Sequence, residues 1–167
     1  MESDMESDMD DFEAIRQVKY AYFRCLDTKD WEGVGRLLTD DATTSYDAGK
    51  YAQSGRAAIV EFLSSALGSP RIVSMHHGHH PEIELIDATH ARGVWYLEDL
   101  VVFRDADTQM RGAAFYEDEY VKTAEGWRIA ATGYRRTFEL FESIKSVSHI
   151  STMFDKKDRA ASGIDES

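Results

Sequence analysis

The sequence predicts an α+β domain in which helices line the concave side of a curved antiparallel sheet. Two observations carry this. Apolar residues recur at helical spacing through most of the chain up to residue 67, and long alternating runs follow from 71 to 138. The connections between those runs are short and polar, which suits antiparallel neighbours. A sheet with one apolar face needs a layer against it, and the preceding helices supply one.

The elements follow in order. Residues 1–10 hold a tandem acidic repeat, Met-Glu-Ser-Asp twice, and read as a frayed leader. Phe12, Ile15, Val18, Tyr22 and Leu26 fall at steps of three and four, an amphipathic helix with Asp11 as its expected N-cap. A break at Thr28-Lys29-Asp30 precedes a short helix with Trp31, Val34, Leu37 and Leu38 on one face. Residues 41–47 read as a strand, Asp47-Ala48-Gly49 as a turn, and 50–53 as its continuation. A third helix spans 56–67 and stops at Gly68-Ser69-Pro70. Strands are expected at 71–79, 82–86, 91–103, 112–122 and 126–138, the last with Trp127, Ile129, Ala131 and Gly133 on one side. The domain proper is 11–140, and 141–167 reads as an arm and tail.

Composition narrows the function. A formal charge of −12 disfavours nucleic acid or an anionic membrane as partner. The single cysteine, Cys25, excludes an intramolecular disulfide and a cysteine-rich metal site. No run is long enough for a membrane span, so a cytoplasmic protein is expected.

Against this background, polar groups stand where core is expected. Ala91, Gly93, Trp95, Leu97, Val101 and Phe103 form one face of a strand, and Asp99 sits among them. A carboxylate there costs several kcal/mol unless paired. Upstream lies Met75-His76-His77-Gly78-His79-His80, in which Ile72, Ser74, His76 and Gly78 share a face. A His76–Asp99 pair is the expected dyad, either a general base or a satisfied core histidine with its partner. Tyr22 lies on the buried stripe of the first helix, and Asp27 at that helix's end leans over the same mouth. His77 and His79 share the other strand face, but no third ligand has an evident spacing, so no metal site is expected.

The segments Tyr22-Phe23-Arg24-Cys25-Leu26-Asp27, Thr44-Ser45-Tyr46, Ser74 to Ile83, Trp95-Tyr96-Leu97-Glu98-Asp99, Gly112 to Tyr116 and Thr132-Gly133-Tyr134 stand in consistent order from about Phe12 to Leu140. In this order they resemble the SnoaL-like branch of the nuclear transport factor 2-like superfamily, which includes scytalone dehydratase and ketosteroid isomerase. Within it, the sequence most resembles bile-acid 7α-dehydratases and related hydroxysteroid dehydratases. The resemblance implies a cystatin-like cone and a catalytic set of Tyr22, Asp27, His76 and Asp99. It implies a substrate pocket reached by Tyr46, Tyr116 and Arg136, and an elimination needing no cofactor. It implies a small hydrophobic substrate, a steroid or similar polycycle free or linked to coenzyme A, and assembly as a homodimer or homotrimer. Arg135 and Arg136 are the candidate anchors for an anionic carrier, or else surface partners of Glu139 and Glu142. A double-bond isomerase and a non-catalytic binder of hydrophobic ligands are the alternatives on the same scaffold.

Overall fold

The computed structural model describes residues 2–155, with side chains described from Asp10 onward. Three helices, α1 (Glu2–Thr28), α2 (Trp31–Leu37) and α3 (Arg56–Leu67), pack against one six-stranded sheet. Its strands are β1 (Leu38–Tyr46), β2 (Tyr51–Ser54), β3 (Ile72–Leu85), β4 (His90–Phe103), β5 (Thr108–Thr123) and β6 (Gly126–Ser143). Their order across the sheet is β2-β1-β6-β5-β4-β3, antiparallel throughout except for the parallel pair β1–β6. The α+β cone expected from the sequence is the observed fold.

Helix α1 begins well before the expected start. Met and Glu favour a helix and nothing in the acidic repeat breaks one, so the backbone is helical from Glu2. Asp11 is consequently not an N-cap but lies inside α1. There its carboxylate accepts from Trp127 Nε1 at 2.8 Å and pairs with Lys122 Nζ at 2.7 Å, tying the helix to β5 and β6. The stripe of α1 is buried as its spacing predicts, with Ile15 and Tyr22 fully enclosed and Leu26 nearly so. A true N-cap stands at Asp30, whose side chain accepts from Gly33 N at the start of α2.

Four irregularities separate the observed sheet from simple alternation, the first a register shift between Leu38 and Thr43 where β1 meets β6. The strands expected at 71–79 and 82–86 are one strand, β3, broken in register between His79 and Glu82, with His80 at φ 47°. Between Glu119 and Tyr120 the partner in β6 jumps from Ala131 to Ile129, and between Ala113 and Ala114 it jumps from Phe138 to Arg136. Each extra residue inverts the alternation, because side chains change face with period two. Ala131 and Gly133 therefore do not share the face of Trp127 and Ile129; Thr132, Tyr134 and Arg136 take over that side. The sheet also runs past residue 140, as β6 pairs with β5 up to Ser143.

Beyond β6, Ile144 and Phe154 are buried, while Val147 and Met153 remain exposed. The arm returns to the domain through an Arg104–Asp155 ion pair at 2.7 Å and a Lys29 ammonium 4.8 Å from the Phe154 ring centroid. The tail expected beyond residue 155 lies outside the described residues. Among the described residues no helix is long and apolar enough to cross a membrane.

Candidate active site

A cavity of about 460 Å³ opens between the concave face of the sheet and helices α1 and α3. Its apolar wall includes Leu26, Phe62, Leu63, Leu97, Val101 and Phe103. Tyr22, Tyr46, His76, Asp99, Tyr116 and Arg136 all face into it. Six of the seven residues singled out from the sequence thus meet at one cavity, and the seventh, Asp27, stands directly behind His76.

His76 enters from β3, and Asp99 is its direct cross-strand neighbour on β4. Their shared face is as expected, but the dyad is not. His76 Nδ1 lies 2.7 Å from Asp27 Oδ1, and the His76 backbone N–H donates to Asp27 Oδ2 at 2.9 Å. The Ser74 hydroxyl adds a third bond to Asp27 at 2.8 Å. Asp99 instead takes both arms of the Arg136 guanidinium, each at 2.7 Å. The carboxylate that orients His76 comes from the helix, and the sheet carboxylate belongs to an ion pair. The physical reason is reach. Asp27 projects from the last turn of α1 across the β3 edge, whereas Arg136 already neutralises Asp99 from β6.

The Asp27 contact fixes the tautomer. A carboxylate accepts, so Nδ1 carries the proton and Nε2 carries the lone pair. Among the described residues Nε2 has no hydrogen-bond partner. The ring lies parallel to that of Phe23 and offset from it, with centroids 6.3 Å apart and planes within 7°. Phe23 in turn needs Gly78, where a Cβ would stand 2.3 Å from Phe23 Cε2.

Tyr22 is engaged by another tyrosine and not by Asp27. Its hydroxyl lies 2.7 Å from that of Tyr46. The Tyr116 ring packs edge-on to Tyr22, and Tyr134, which the sequence reading missed, packs against both Tyr46 and Tyr116. Burial drives the hydroxyl pKa values of Tyr22, Tyr46 and Tyr116 well above the usual tyrosine range. These groups stay protonated at neutral pH and act as donors.

Arg136 lines the cavity but brings it little free charge. Besides Asp99, its Nε lies 3.4 Å from Glu139. Burial works against its charge, and the bonds and charge of Asp99 more than compensate, so the guanidinium is held protonated even more firmly than usual. A Cβ at Gly112 would stand 2.6 Å from Arg136 Nη1 and 2.9 Å from the Phe138 carbonyl, so glycine there clears the path of the arginine to Asp99. Arg135 points elsewhere and pairs with Glu117. Both guanidinia are committed to carboxylates, Arg136 to Glu139 but neither to Glu142. Neither remains as an unpaired anchor for an anionic carrier.

On the opposite face of β3, a third side chain of metal-ligating type stands beside His77 and His79, which spacing along the chain did not show. Glu98, directly across from His77 in register, joins them.

The SnoaL-like domain family matches residues 7–133 of the chain. Among solved structures, a candidate scytalone dehydratase from Novosphingobium aromaticivorans superposes with a TM-score of 0.76 at 18% identity, covering 88% of this chain and 99% of that one. A hexachlorocyclohexane dehydrochlorinase, LinA type 3 from Novosphingobium barchaimii, gives 0.74 at 16% identity, over 87% and 98%. ActVI-ORFA from Streptomyces coelicolor gives 0.65 at 18% identity, over 75% and 96%. These likenesses agree with the cone fold, and the family match spans most of the cavity's residues. The chain belongs to the SnoaL-like domain family.

Proposed function

We propose that this chain is a hydro-lyase that removes water from a ring alcohol near a carbonyl group. The preferred substrate is a hydroxysteroid of the 3-oxo-Δ4 type or a similar polycycle, free or as a coenzyme A thioester. One observation carries the reading: an imidazole on the wall of a largely apolar cavity, with Nδ1 on a carboxylate and Nε2 unpartnered among the described residues. A volume of about 460 Å³ falls within the roughly 300–1,000 Å³ usual for small-molecule sites.

The chemistry follows from the proton inventory. His76 Nε2 takes a proton from carbon activated by the carbonyl group, and the C–H electrons move into the enolate or dienolate system. Tyr22 and Tyr46 share one hydrogen bond, which leaves the other hydroxyl proton for the developing oxyanion. Asp27 stabilises the imidazolium that forms. The C–O bond then breaks, the imidazolium returns its proton to the departing hydroxide, and water leaves with His76 neutral again. Electrons and protons balance with no oxidation.

Incubation with a 7α-hydroxy-3-oxo-Δ4 bile acid and its thioester, followed by mass spectrometry, tests this. The expected product has lost the mass of one water, and His76→Ala slows its formation by roughly two to four orders of magnitude. Unchanged mass with a shifted ultraviolet band would replace elimination by double-bond migration. Wild-type turnover in the His76→Ala variant would overturn the mechanism.

A further inference from the structure

The four histidines at 76, 77, 79 and 80 supply only one group to the cavity. His77 and His79 stand two residues apart on the other face of β3, and Glu98 faces His77 across the β3–β4 ladder. One ligand atom from each of the three lies within 4.8 Å of the others, and His79 Nε2 is already 3.6 Å from Glu98 Oε2. From this geometry we propose a second, surface site on β3 and β4, in which His77, His79 and Glu98 bind a Zn²⁺ ion.

Two imidazoles and one carboxylate are a zinc donor set that leaves a fourth position for water. Tetrahedral bonds of about 2.0–2.2 Å place ligand atoms roughly 3.4 Å apart, so the three groups need to close by about an ångström. All three are surface side chains: His79 and Glu98 are 44% and 55% exposed, so rotation meets little packing. Their backbones are fixed, since both strands are paired at His77–Glu98 and His79–Tyr96. A single carboxylate offsets part of the ion's charge, and imidazole nitrogen selects Zn²⁺ over the oxygen-seeking Mg²⁺ and Ca²⁺. The bound ion links β3, an edge strand, to β4 immediately before the register break at His79. It therefore stabilises the strand whose opposite face carries His76, without touching the cavity.

Isothermal titration of the untagged full chain with ZnCl₂, with MgCl₂ as control, tests the site independently of any enzymatic assay. The expected result is one Zn²⁺ per chain, a raised thermal midpoint by linkage, and no Mg²⁺ uptake at the same concentrations. His77→Ala, His79→Ala and Glu98→Gln each weaken Zn²⁺ binding at least ten-fold, as loss of a direct ligand should exceed the roughly 10–100-fold cost of losing a ligand's support. His90→Ala, at a separate exposed histidine, leaves binding unchanged. Circular dichroism confirms that each variant is folded before it is titrated. Absence of Zn²⁺ uptake by the wild type overturns the proposal. So does an affinity that neither His77→Ala nor His79→Ala moves, because the ion would then sit elsewhere.

Discussion

Two polar networks lie under the same sheet, the first fully buried and the second partly so, and they differ in whether every polar atom is spent. In the first, the Lys19 ammonium meets Asp118 at 2.7 Å with both side chains fully buried. Thr132 and Tyr120 donate to the two Asp118 oxygens at 2.7 Å each, Trp95 Nε1 donates to Tyr120, and the Lys19 cation lies 3.6 Å from the Tyr116 ring centroid. Both Asp118 oxygens accept, and the charge is balanced. In the second, Asp27 is well supplied by His76 and Ser74, but the far nitrogen of His76 has no partner among the described residues, and the ring lines the cavity. A closed network holds the fold together, whereas one with an unspent lone pair at a cavity is available for chemistry. Asp99–Arg136 falls between them, a satisfied pair that nonetheless forms part of the cavity wall.

The contrast can be broken from either side. Asp118→Leu strands the Lys19 charge and should cost about 3–5 kcal/mol in urea unfolding, while Lys19→Met/Asp118→Leu recovers most of it. Asp27→Asn should cost only about 1 kcal/mol of stability. It should nevertheless slow turnover by roughly two to four orders of magnitude by removing the group that fixes the imidazole. Asp99→Asn sharpens the distinction. It removes the charge on one half of a bidentate pair and should cost about 1.5–3 kcal/mol in stability with a smaller loss of rate than Asp27→Asn. Equal losses of rate for the two variants would erase the distinction between them.

The His76–Asp99 expectation shows what was legible in the sequence and what was not. Period-two alternation placed both residues on the concave face, and the register agrees. The same alternation is silent about Asp27, because its contact arises from how α1 docks over β3. Helical spacing located Tyr22 in the core but gave no sign of Tyr46 as its partner. In β6 the alternation itself misleads, since the register break between Ile129 and Ala131 inverts the faces and brings Tyr134 and Arg136 inward. Glycine at 112, opposite Asp99, was the available hint that something bulky crosses there. Lys19 was not singled out because lysine is seldom buried, and its partner Asp118 lies 99 residues away in the chain.

Smaller effects test the geometry further. Gly112→Ala forces Arg136 or the β6 backbone to move and should destabilise the protein by about 1–3 kcal/mol, read by thermal unfolding. The buried tyrosines set an alkaline limit on the fold. Burial raises the pKa of Tyr22, Tyr46, Tyr116 and Tyr120, so the folded state keeps protons that unfolded tyrosines release near pH 10. The stability from this source is complete below about pH 10 and falls by about 1.4 kcal/mol per pH unit per tyrosine above it. Urea midpoints measured across the alkaline range should therefore drop with increasing slope.

The tautomer of His76 tests the central claim most directly, by ¹⁵N-detected NMR of the imidazole at a pH where the ring is neutral. The structure predicts a protonated Nδ1 whose hydrogen-bonded proton resonates far downfield, lost in Asp27→Asn and retained in Asp99→Asn. A ring protonated at Nε2, or a downfield signal that depends on Asp99 and not on Asp27, would contradict the account.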